Sequence, residues 1–336
     1  MGSFTSAGGR GVVTAAVDPR TGALTVLGAS DAVADPSYLA LAPGGRLLHA
    51  VSETDDGAVA AFDVTDAVPR PCAAPVAVDG ASPTHLARAG RYLAVANYGS
   101  GSVTVLPLQA DGTPGTPSCV LRHSGSGPDA GRQEGPHAHQ VLPDPTGRWV
   151  LSVDLGTDSV RVCALDDATG TLAVHSEAAL RPGAGPRHLA FHPDGTHVYV
   201  ANELRPTLGV CRWEAATGTL TPLEEVPLLP GGTQGPSYAS EVVVARDGRF
   251  LWVANRGHDS ISVFAVAGDG SAELRTTVPC GGHWPRDLAL DPAGRRLYAA
   301  NERSGDVTWF DIDARTGIPH RAGSVEAPAA SCVVFG

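Results

Sequence analysis

Residues 186–203 read PRHLAFHPDGTHVYVANE, and five related stretches accompany this one along the chain. Each copy predicts a strand, a glycine-rich turn and a second strand of mostly apolar residues. The six copies occupy residues 36–53, 83–98, 136–155, 186–203, 239–256 and 285–302. Their last residues are therefore 45, 57, 48, 53 and 46 positions apart. A repeat of about 50 residues that is made of short strands is typical of β-propeller blades.

The two ends of the chain supply a seventh blade. Residues 11–17 and 23–27 alternate as strands around the turn at 18–22, and residues 327–329 and 332–335 resemble the start of another repeat. Joining both termini in one blade removes the open sheet edge that six blades would leave. We therefore predict an all-β protein, a single domain over residues 1–336. Its fold is a seven-bladed β-propeller of four-stranded antiparallel blades, one of them closed by both termini. A β-helix has shorter repeats, and β-sandwiches lack so regular a period.

The composition excludes several classes of protein. The chain has 41 glycines and 27 prolines, too many for a helical bundle, while 43% hydrophobic residues suffice for a core. The formal net charge is −11 and lysine is absent, so neither nucleic acid nor an anionic membrane is an expected partner. No signal peptide or membrane-spanning stretch is evident, and the six cysteines are far apart in sequence. We expect a cytoplasmic protein whose cysteines are buried thiols.

Blade topology predicts which side chains meet. The start of the first strand and the end of the second lie at the same face of an antiparallel blade. We therefore expect the residue after each repeat's proline and the residue after its asparagine at one rim of the central channel. The first positions are Ser37, Thr84, His137, Arg187, Ser240, Arg286 and Ala329. The second positions are Glu53, Tyr98, Leu155, Glu203, Arg256 and Glu302.

The third, fourth and fifth repeats would place four polar residues around one mouth: His137, Arg187, Glu203 and Arg256. One imidazole, one carboxylate and two guanidiniums are suited to acid–base catalysis and to stabilising an oxyanion. Arginine also pairs with carboxylates and phosphates, which favours an anionic substrate. From the residues alone, the alternative is that Arg187 and Glu203 form an ordinary ion pair between blades, but the convergence of all four on one mouth favours the functional interpretation.

A second set of candidates, for contacts with the substrate, lies beside these four: Arg286, Glu241, His188 and His139. His85 and His188 occupy equivalent places in two repeats and favour a structural, hydrogen-bonded role. His137 and His139 are two residues apart on one strand, as in some metal sites, but no third ligand is evident and no metal is expected. The chain also lacks a P-loop, a dinucleotide fingerprint, an HExxH motif and a GxSxG elbow, so no organic cofactor is expected.

Over its whole length the chain resembles the seven-bladed propeller lactonase family, which includes propeller-type 6-phosphogluconolactonases and a fungal 3-carboxy-cis,cis-muconate cyclase. The resemblance rests on residues 80–86, 95–103, 132–139, 183–193, 201–203, 247–260 and 284–286. It implies functional roles for His137, Arg187, Glu203 and Arg256. Where relatives are expected to carry a Glu-Ile-His-like segment, this chain has Glu241-Val242-Val243, so its substrate preference could differ.

The resemblance implies hydrolysis of a small anionic sugar-acid lactone without metal or cofactor. The leading candidate substrate is 6-phosphoglucono-δ-lactone. In this hypothesis Glu203 or His137 activates water, and Arg187 and Arg256 hold the oxyanion or the substrate's anionic group. Three alternatives stay open. They are a muconate-type lactonising cyclase, a non-catalytic binding propeller, and a propeller lactonase that depends on calcium. The oligomeric state is left open.

Overall fold

The computed structural model describes all 336 residues, and nearly all of its regular structure is β-strand. The N-terminal part contains a short 3₁₀ helix, Thr5–Ala7, and three strands: β1 (Gly2–Ser3), β2 (Val12–Val17) and β3 (Leu24–Ser30). No helix has the length and apolar character needed to cross a membrane.

The six repeats form six antiparallel sheets in which the first strand of each repeat is innermost. The first sheet has five strands, with β7 and β8 both paired to β6: β4 (Leu39–Leu41), β5 (Leu47–Ser52), β6 (Ala58–Asp63), β7 (Arg70–Pro71) and β8 (Val76–Ala77). The second has four: β9 (Pro83–Ala89), β10 (Tyr92–Asn97), β11 (Ser102–Pro107) and β12 (Cys119–Arg122).

The remaining four complete blades also have four strands each. The third comprises β13 (Ala138–Pro143), β14 (Trp149–Asp154), β15 (Ser159–Leu165) and β16 (Leu172–Ala179). The fourth comprises β17 (Pro186–Phe191), β18 (His197–Asn202), β19 (Thr207–Glu214) and β20 (Thr219–Pro227). The fifth comprises β21 (Tyr238–Val244), β22 (Phe250–Arg256), β23 (Ser260–Val266) and β24 (Ala272–Pro279). The sixth comprises β25 (Pro285–Leu290), β26 (Arg296–Asn301), β27 (Asp306–Ile312) and β28 (Pro319–Glu326).

The seventh blade is built from both ends of the chain, as predicted. The C-terminal strand β29 (Ala330–Cys332) is innermost and pairs antiparallel with β1, with Gly2 opposite Cys332. Two hydrogen bonds of 2.8 Å between Met1 and Val13 continue the sheet to β2, which pairs with β3. The prediction took residues 11–17 as the first N-terminal strand and missed β1. With only two residues, β1 leaves no alternation to detect in the sequence.

The asparagine that ends the second strand of several repeats has a structural reason. Asn97, Asn255 and Asn301 are fully buried, and each donates from Nδ2 to a hydroxyl on the following strand at 2.8–3.1 Å. The bond ties the second strand to the third across a tight turn and satisfies a buried amide donor. The residue after the asparagine is thereby held at the end of the sheet, at the rim of the channel.

Apolar side chains fill the spaces between neighbouring blades. Between the third and fourth blades, for example, Trp149 and Leu151 pack in one cluster with Val200 and Trp213. The cysteines only partly follow the prediction of buried thiols. Cys72 is exposed and Cys119 half-buried, whereas the other four are buried, and none forms a disulfide. Cys72 follows β7, whose residues lie exposed at the outer edge of its blade.

Candidate functional site

Three of the four predicted site residues meet at one end of the central channel. Arg187 lies on β17, Glu203 directly follows β18, and Arg256 ends β22. Arg187 is the extra residue of a β-bulge, because Pro186 pairs with Asn202 and His188 already pairs with Ala201. A bulge re-aims the side chain of the extra residue out of the regular alternation of the strand. The guanidinium of Arg187 therefore reaches the rim.

Glu203 is the centre of an ion cluster. Its Oε2 lies 2.6 Å from Nη2 of Arg256 and 3.5 Å from Nε of Arg187. Its Oε1 accepts a hydrogen bond of 2.7 Å from Nη2 of Arg132. Three guanidiniums thus surround one carboxylate of which only 5% of the side chain is exposed. We call these four residues the cationic half of the mouth, since their formal charges sum to a positive value.

The arginines keep Glu203 ionised. Burial alone would raise the pKa of Glu203, but the charges of Arg256, Arg187 and Arg132 lower it to about 2. A carboxylate with so low a pKa is a weak proton acceptor at neutral pH. Its position suits it to holding the guanidiniums in place.

Two of these guanidiniums have buried N–H groups without a partner. Nε and Nη1 of Arg187 and Nε of Arg256 are buried and form no hydrogen bond within the protein. Burial and the nearby charge of Arg256 lower the pKa of Arg187 to about 9, so that it remains a cation at neutral pH. Buried donors without partners are energetically costly, and an anionic ligand at the mouth would satisfy them.

His137 lies beside this cluster and is connected to it through Tyr98. Its ring stacks on that of Tyr98, with centroids 4.4 Å apart, and its Nδ1 lies 2.9 Å from the carbonyl oxygen of Tyr98. A carbonyl can only accept, so Nδ1 carries a proton, while Nε2 lies 3.3 Å from Oε1 of the exposed Glu134 carboxylate. The hydroxyl of Tyr98 in turn accepts a hydrogen bond of 3.3 Å from Arg132. His137 does not contact Glu203 directly.

The strand register corrects one comparison between repeats. Ala138 pairs with Asp154 and Gln140 with Val153, so that His139, and not His137, is the bulged residue equivalent to Arg187. His139 is buried, and its ring centroid lies 5.5 Å from that of Tyr98. The third repeat places its proline two residues earlier than the other repeats, and alignment on the proline therefore misassigned the position. Ala329 is likewise not the rim position of the seventh blade, where Ser331 is bulged.

Two of the predicted substrate contacts lie deeper than the rim. His188 and Glu241 are each one residue further along the inner strand, and Nδ1 of His188 lies 2.6 Å from Oε2 of Glu241. Burial raises the pKa of Glu241 to about 7, although Arg187 and a hydrogen bond from Asp287 counteract it. Burial and the charge of Glu241 raise the pKa of Asp287 well above its usual range. These groups form a buried polar layer beneath the mouth.

The same layer contains the rings of His85 and Tyr38. The centroid of His188 is 5.3 Å from that of His85, which lies 4.0 Å from the ring of Tyr38. Burial lowers the pKa of His85, His139 and His188 well below the usual value, so these histidines are neutral. No group of three or more His, Cys, Asp or Glu residues has the geometry to hold a metal ion.

Arg286 reaches the mouth from the opposite side but is already paired. Its guanidinium lies 3.5 Å from Oε1 of Glu53 and 3.4 Å from Oε2 of Glu302, and it stacks over the ring of Phe4 at 4.8 Å. The hydroxyl of Ser37 donates to Glu53 as well. We call Arg286, Glu53 and Glu302 the acidic half of the mouth, because two carboxylates face one guanidinium.

Sequence reasoning missed the role of Arg132. It lies in the loop between β12 and β13, outside the repeated unit, so no comparison of repeats could place it. The neighbouring Gln133 is fully buried and donates 2.8 Å hydrogen bonds to the Leu155 carbonyl and to Asp158, which anchors this loop against the third blade. Trp284 was also missed. Its ring centroid lies 5.6 Å from the Arg256 guanidinium, and it forms a side wall of the mouth.

A cleft of about 510 Å³ lies elsewhere, between the seventh blade and the first complete one. Its lining is mostly apolar, includes Leu27, Leu41 and Phe335, and has Asp66 as its one charged side chain. With Asp66 as its one carboxylate and no histidine or arginine, it does not combine an acid–base group with a cationic side chain for an anionic substrate. The mouth of the channel is therefore the candidate site.

Comparison with known proteins agrees with this architecture. The family model described as "Lactonase, 7-bladed beta-propeller" matches residues 1–335. The 6-phosphogluconolactonase of Bacillus subtilis is 33% identical over 100% of this chain and 97% of its own length. That of Pectobacterium carotovorum is 33% identical over 88% of this chain and 86% of its own length. The crystal structure of a periplasmic gluconolactonase from Pseudomonas aeruginosa superimposes with a TM-score of 0.91. It is 30% identical and covers 98% of this chain and 96% of its own.

Proposed function

This chain belongs to the seven-bladed β-propeller lactonase family, and we propose that it hydrolyses 6-phosphogluconolactone to 6-phosphogluconate at the mouth of its channel. Membership of the family makes it a lactone-hydrolysing enzyme. The choice of substrate is supported by the relatives of Bacillus subtilis and Pectobacterium carotovorum, which are named for this activity.

One observation on this chain's own residues supports the proposal. Arg187 and Arg256 have buried N–H groups without a protein partner, and they lie side by side around Glu203. Such donors are preorganised for negative charge, whether the phosphate of the substrate or the oxyanion that develops on its carbonyl oxygen. Glu203 holds both guanidiniums at this position.

His137 is the proposed general base. Its Nδ1–H donates to the Tyr98 carbonyl, which leaves Nε2, 3.3 Å from the exposed Glu134 carboxylate, as the nitrogen that takes a proton from water as the water attacks the lactone carbonyl carbon. The electron pair of the carbonyl bond moves onto its oxygen, where Arg187 and Arg256 stabilise the charge. When the tetrahedral intermediate collapses, the bond to the ring oxygen breaks and the imidazolium of His137 returns the proton to that oxygen. Glu203, with a pKa of about 2, is less suited to act as the base.

The proposal is tested with purified protein and a panel of substrates. We expect product formation from 6-phosphogluconolactone well above its spontaneous hydrolysis, slower turnover of unphosphorylated gluconolactone, and no change when a chelator is added. Preferential turnover of 3-carboxy-cis,cis-muconate would identify a lactonising cyclase instead. Loss of activity in the chelator would indicate a calcium-dependent lactonase. Absence of turnover on every lactone would favour a binding propeller.

We also place the enzyme in the cytoplasm. The cysteines form no disulfide, and a phosphorylated sugar acid is a substrate expected inside the cell. The Pseudomonas aeruginosa neighbour is periplasmic, so the proposal needs its own test. Fractionation of the source cells should recover the protein with cytoplasmic markers, and recovery in the periplasmic fraction would contradict it.

A further inference from the structure

The two halves of the mouth have opposite charge. Three guanidiniums face Glu203 in the cationic half, a formal charge of +2, whereas Glu53 and Glu302 face Arg286 in the acidic half, a formal charge of −1. A ligand that spans the mouth therefore meets a positive electrostatic potential at the cationic half and a negative one at the acidic half.

The acidic half is poorly suited to bind an anion. Both carboxylates lie within 3.5 Å of Arg286, and the face of its guanidinium is covered by Phe4. Two carboxylates thus compensate the single positive charge of Arg286. Glu302 uses Oε2 in this contact, which leaves Oε1 as an acceptor, and 23% of its side chain is exposed. Ionised carboxylates only accept hydrogen bonds, so this half of the mouth matches hydroxyl groups.

The distribution of groups on a phosphorylated δ-lactone matches this polarity. The ring oxygen joins the acyl carbon to the carbon that carries the phosphorylated side chain, so carbonyl and phosphate flank one edge of the ring. The remaining three ring carbons carry hydroxyls at the opposite edge. With the first edge on the cationic half, the hydroxyl edge lies towards Glu53 and Glu302.

We propose that Glu53 and Glu302 are specificity-determining residues that accept hydrogen bonds from the sugar hydroxyls and repel a second carboxylate. This inference rests on the proposed function and adds the reason for preferring a hydroxylated monolactone to a muconate-type polycarboxylate. Like charges placed opposite the unwanted ligand are a common way to achieve such discrimination. Ser37 and Arg286 position the two carboxylates.

Binding measurements test the inference independently of turnover. The dissociation constants of 6-phosphogluconate and of tricarballylate, a tricarboxylate without hydroxyls, are measured by calorimetry for the wild type, E302Q and the E53Q/E302Q double variant. E273Q is the matched control, because Glu273 lies on the outer strand β24 with 71% of its side chain exposed. Circular dichroism verifies the fold of each variant.

We expect the wild type and E273Q to prefer 6-phosphogluconate. The preference should fall by about tenfold in E302Q and further in the double variant, through weaker binding of the hydroxylated ligand and tighter binding of the tricarboxylate. An unchanged ratio in both folded variants would overturn the inference. A wild type that hydrolyses no lactone would refute the proposed function, whereas the binding ratios would still decide the role of Glu53 and Glu302.

Discussion

Nε of Arg187 lies 3.5 Å from Oε2 of Glu203 at the mouth of the channel, and at most 5% of either side chain is exposed. The two residues come from adjacent strands of one blade, and Arg256 from the next blade completes the contact. The distance is that of an ion pair, but Nε of Arg187 forms no hydrogen bond. The pair therefore holds the guanidinium without consuming all its donors, as an anion site requires.

Replacing Arg187 should abolish most of the activity. In R187M the oxyanion loses buried donors, and we expect kcat to fall by about 10²- to 10³-fold. R275M is the control, since Arg275 lies half exposed on an outer strand and pairs with Glu273. Steady-state kinetics of both variants provide the test, and wild-type kcat in a folded R187M would exclude Arg187 from catalysis.

Replacing His137 should remove the general base. We expect H137A to lose about 10²- to 10⁴-fold in kcat, with partial recovery when imidazole is added to the assay. The control is H175A, because His175 lies exposed on β16 and bonds only to the Thr217 carbonyl there. Equal activity of H137A and H175A would show that another group activates the water.

Glu203 should stabilise the protein at neutral pH. Its folded-state pKa of about 2 lies below the unfolded value of 4.5, so its stabilisation is present above pH 4.5 and is lost as pH falls through 2. We expect E203Q to lower the free energy of unfolding by about 3 kcal/mol at pH 7, and by less at lower pH. Urea denaturation of E203Q and wild type between pH 3 and pH 7 measures this. A difference that does not change with pH would contradict the charge-based explanation.

Glu241 should make the free energy of unfolding depend on pH in the opposite direction from Glu203. Its folded-state pKa of about 7 exceeds the unfolded 4.5, so the stability associated with its protonation is present below pH 4.5 and lost as pH rises through 7. The free energy of unfolding of E241Q, relative to wild type, should thus rise by up to about 3 kcal/mol over this range. Parallel denaturation series at pH 4.5 and pH 8, with E273Q as the control, check the sign. A relative stability that falls with pH would refute it.

The repeat was sufficient to predict the fold. Strands, turns and the terminal blade follow from a pattern that recurs with little change, because every blade must bury the same faces against its neighbours. The buried asparagines, whose amides tie two strands together, make that pattern easy to detect. The two-residue strand β1 is too short to leave such a pattern.

The site could be predicted only where it coincides with the repeat. Arg187, Glu203 and Arg256 occupy repeated positions, and their proximity followed from blade topology. Arg132 comes from an irregular loop, so its contact with Glu203 depends on tertiary packing that no local pattern encodes. Arg286 stays a predicted substrate contact, but its pairing with Glu53, which is far away in the sequence, appears only once the ring is closed.

A crystal structure of the protein with 6-phosphogluconate would show whether the active site lies at the mouth of the channel. We expect an anionic group of the product within hydrogen-bond distance of Arg187 and Arg256, with the hydroxyls of the product towards Glu302. Product bound only in the apolar cleft beside Leu27 and Phe335, with the mouth empty, would contradict it.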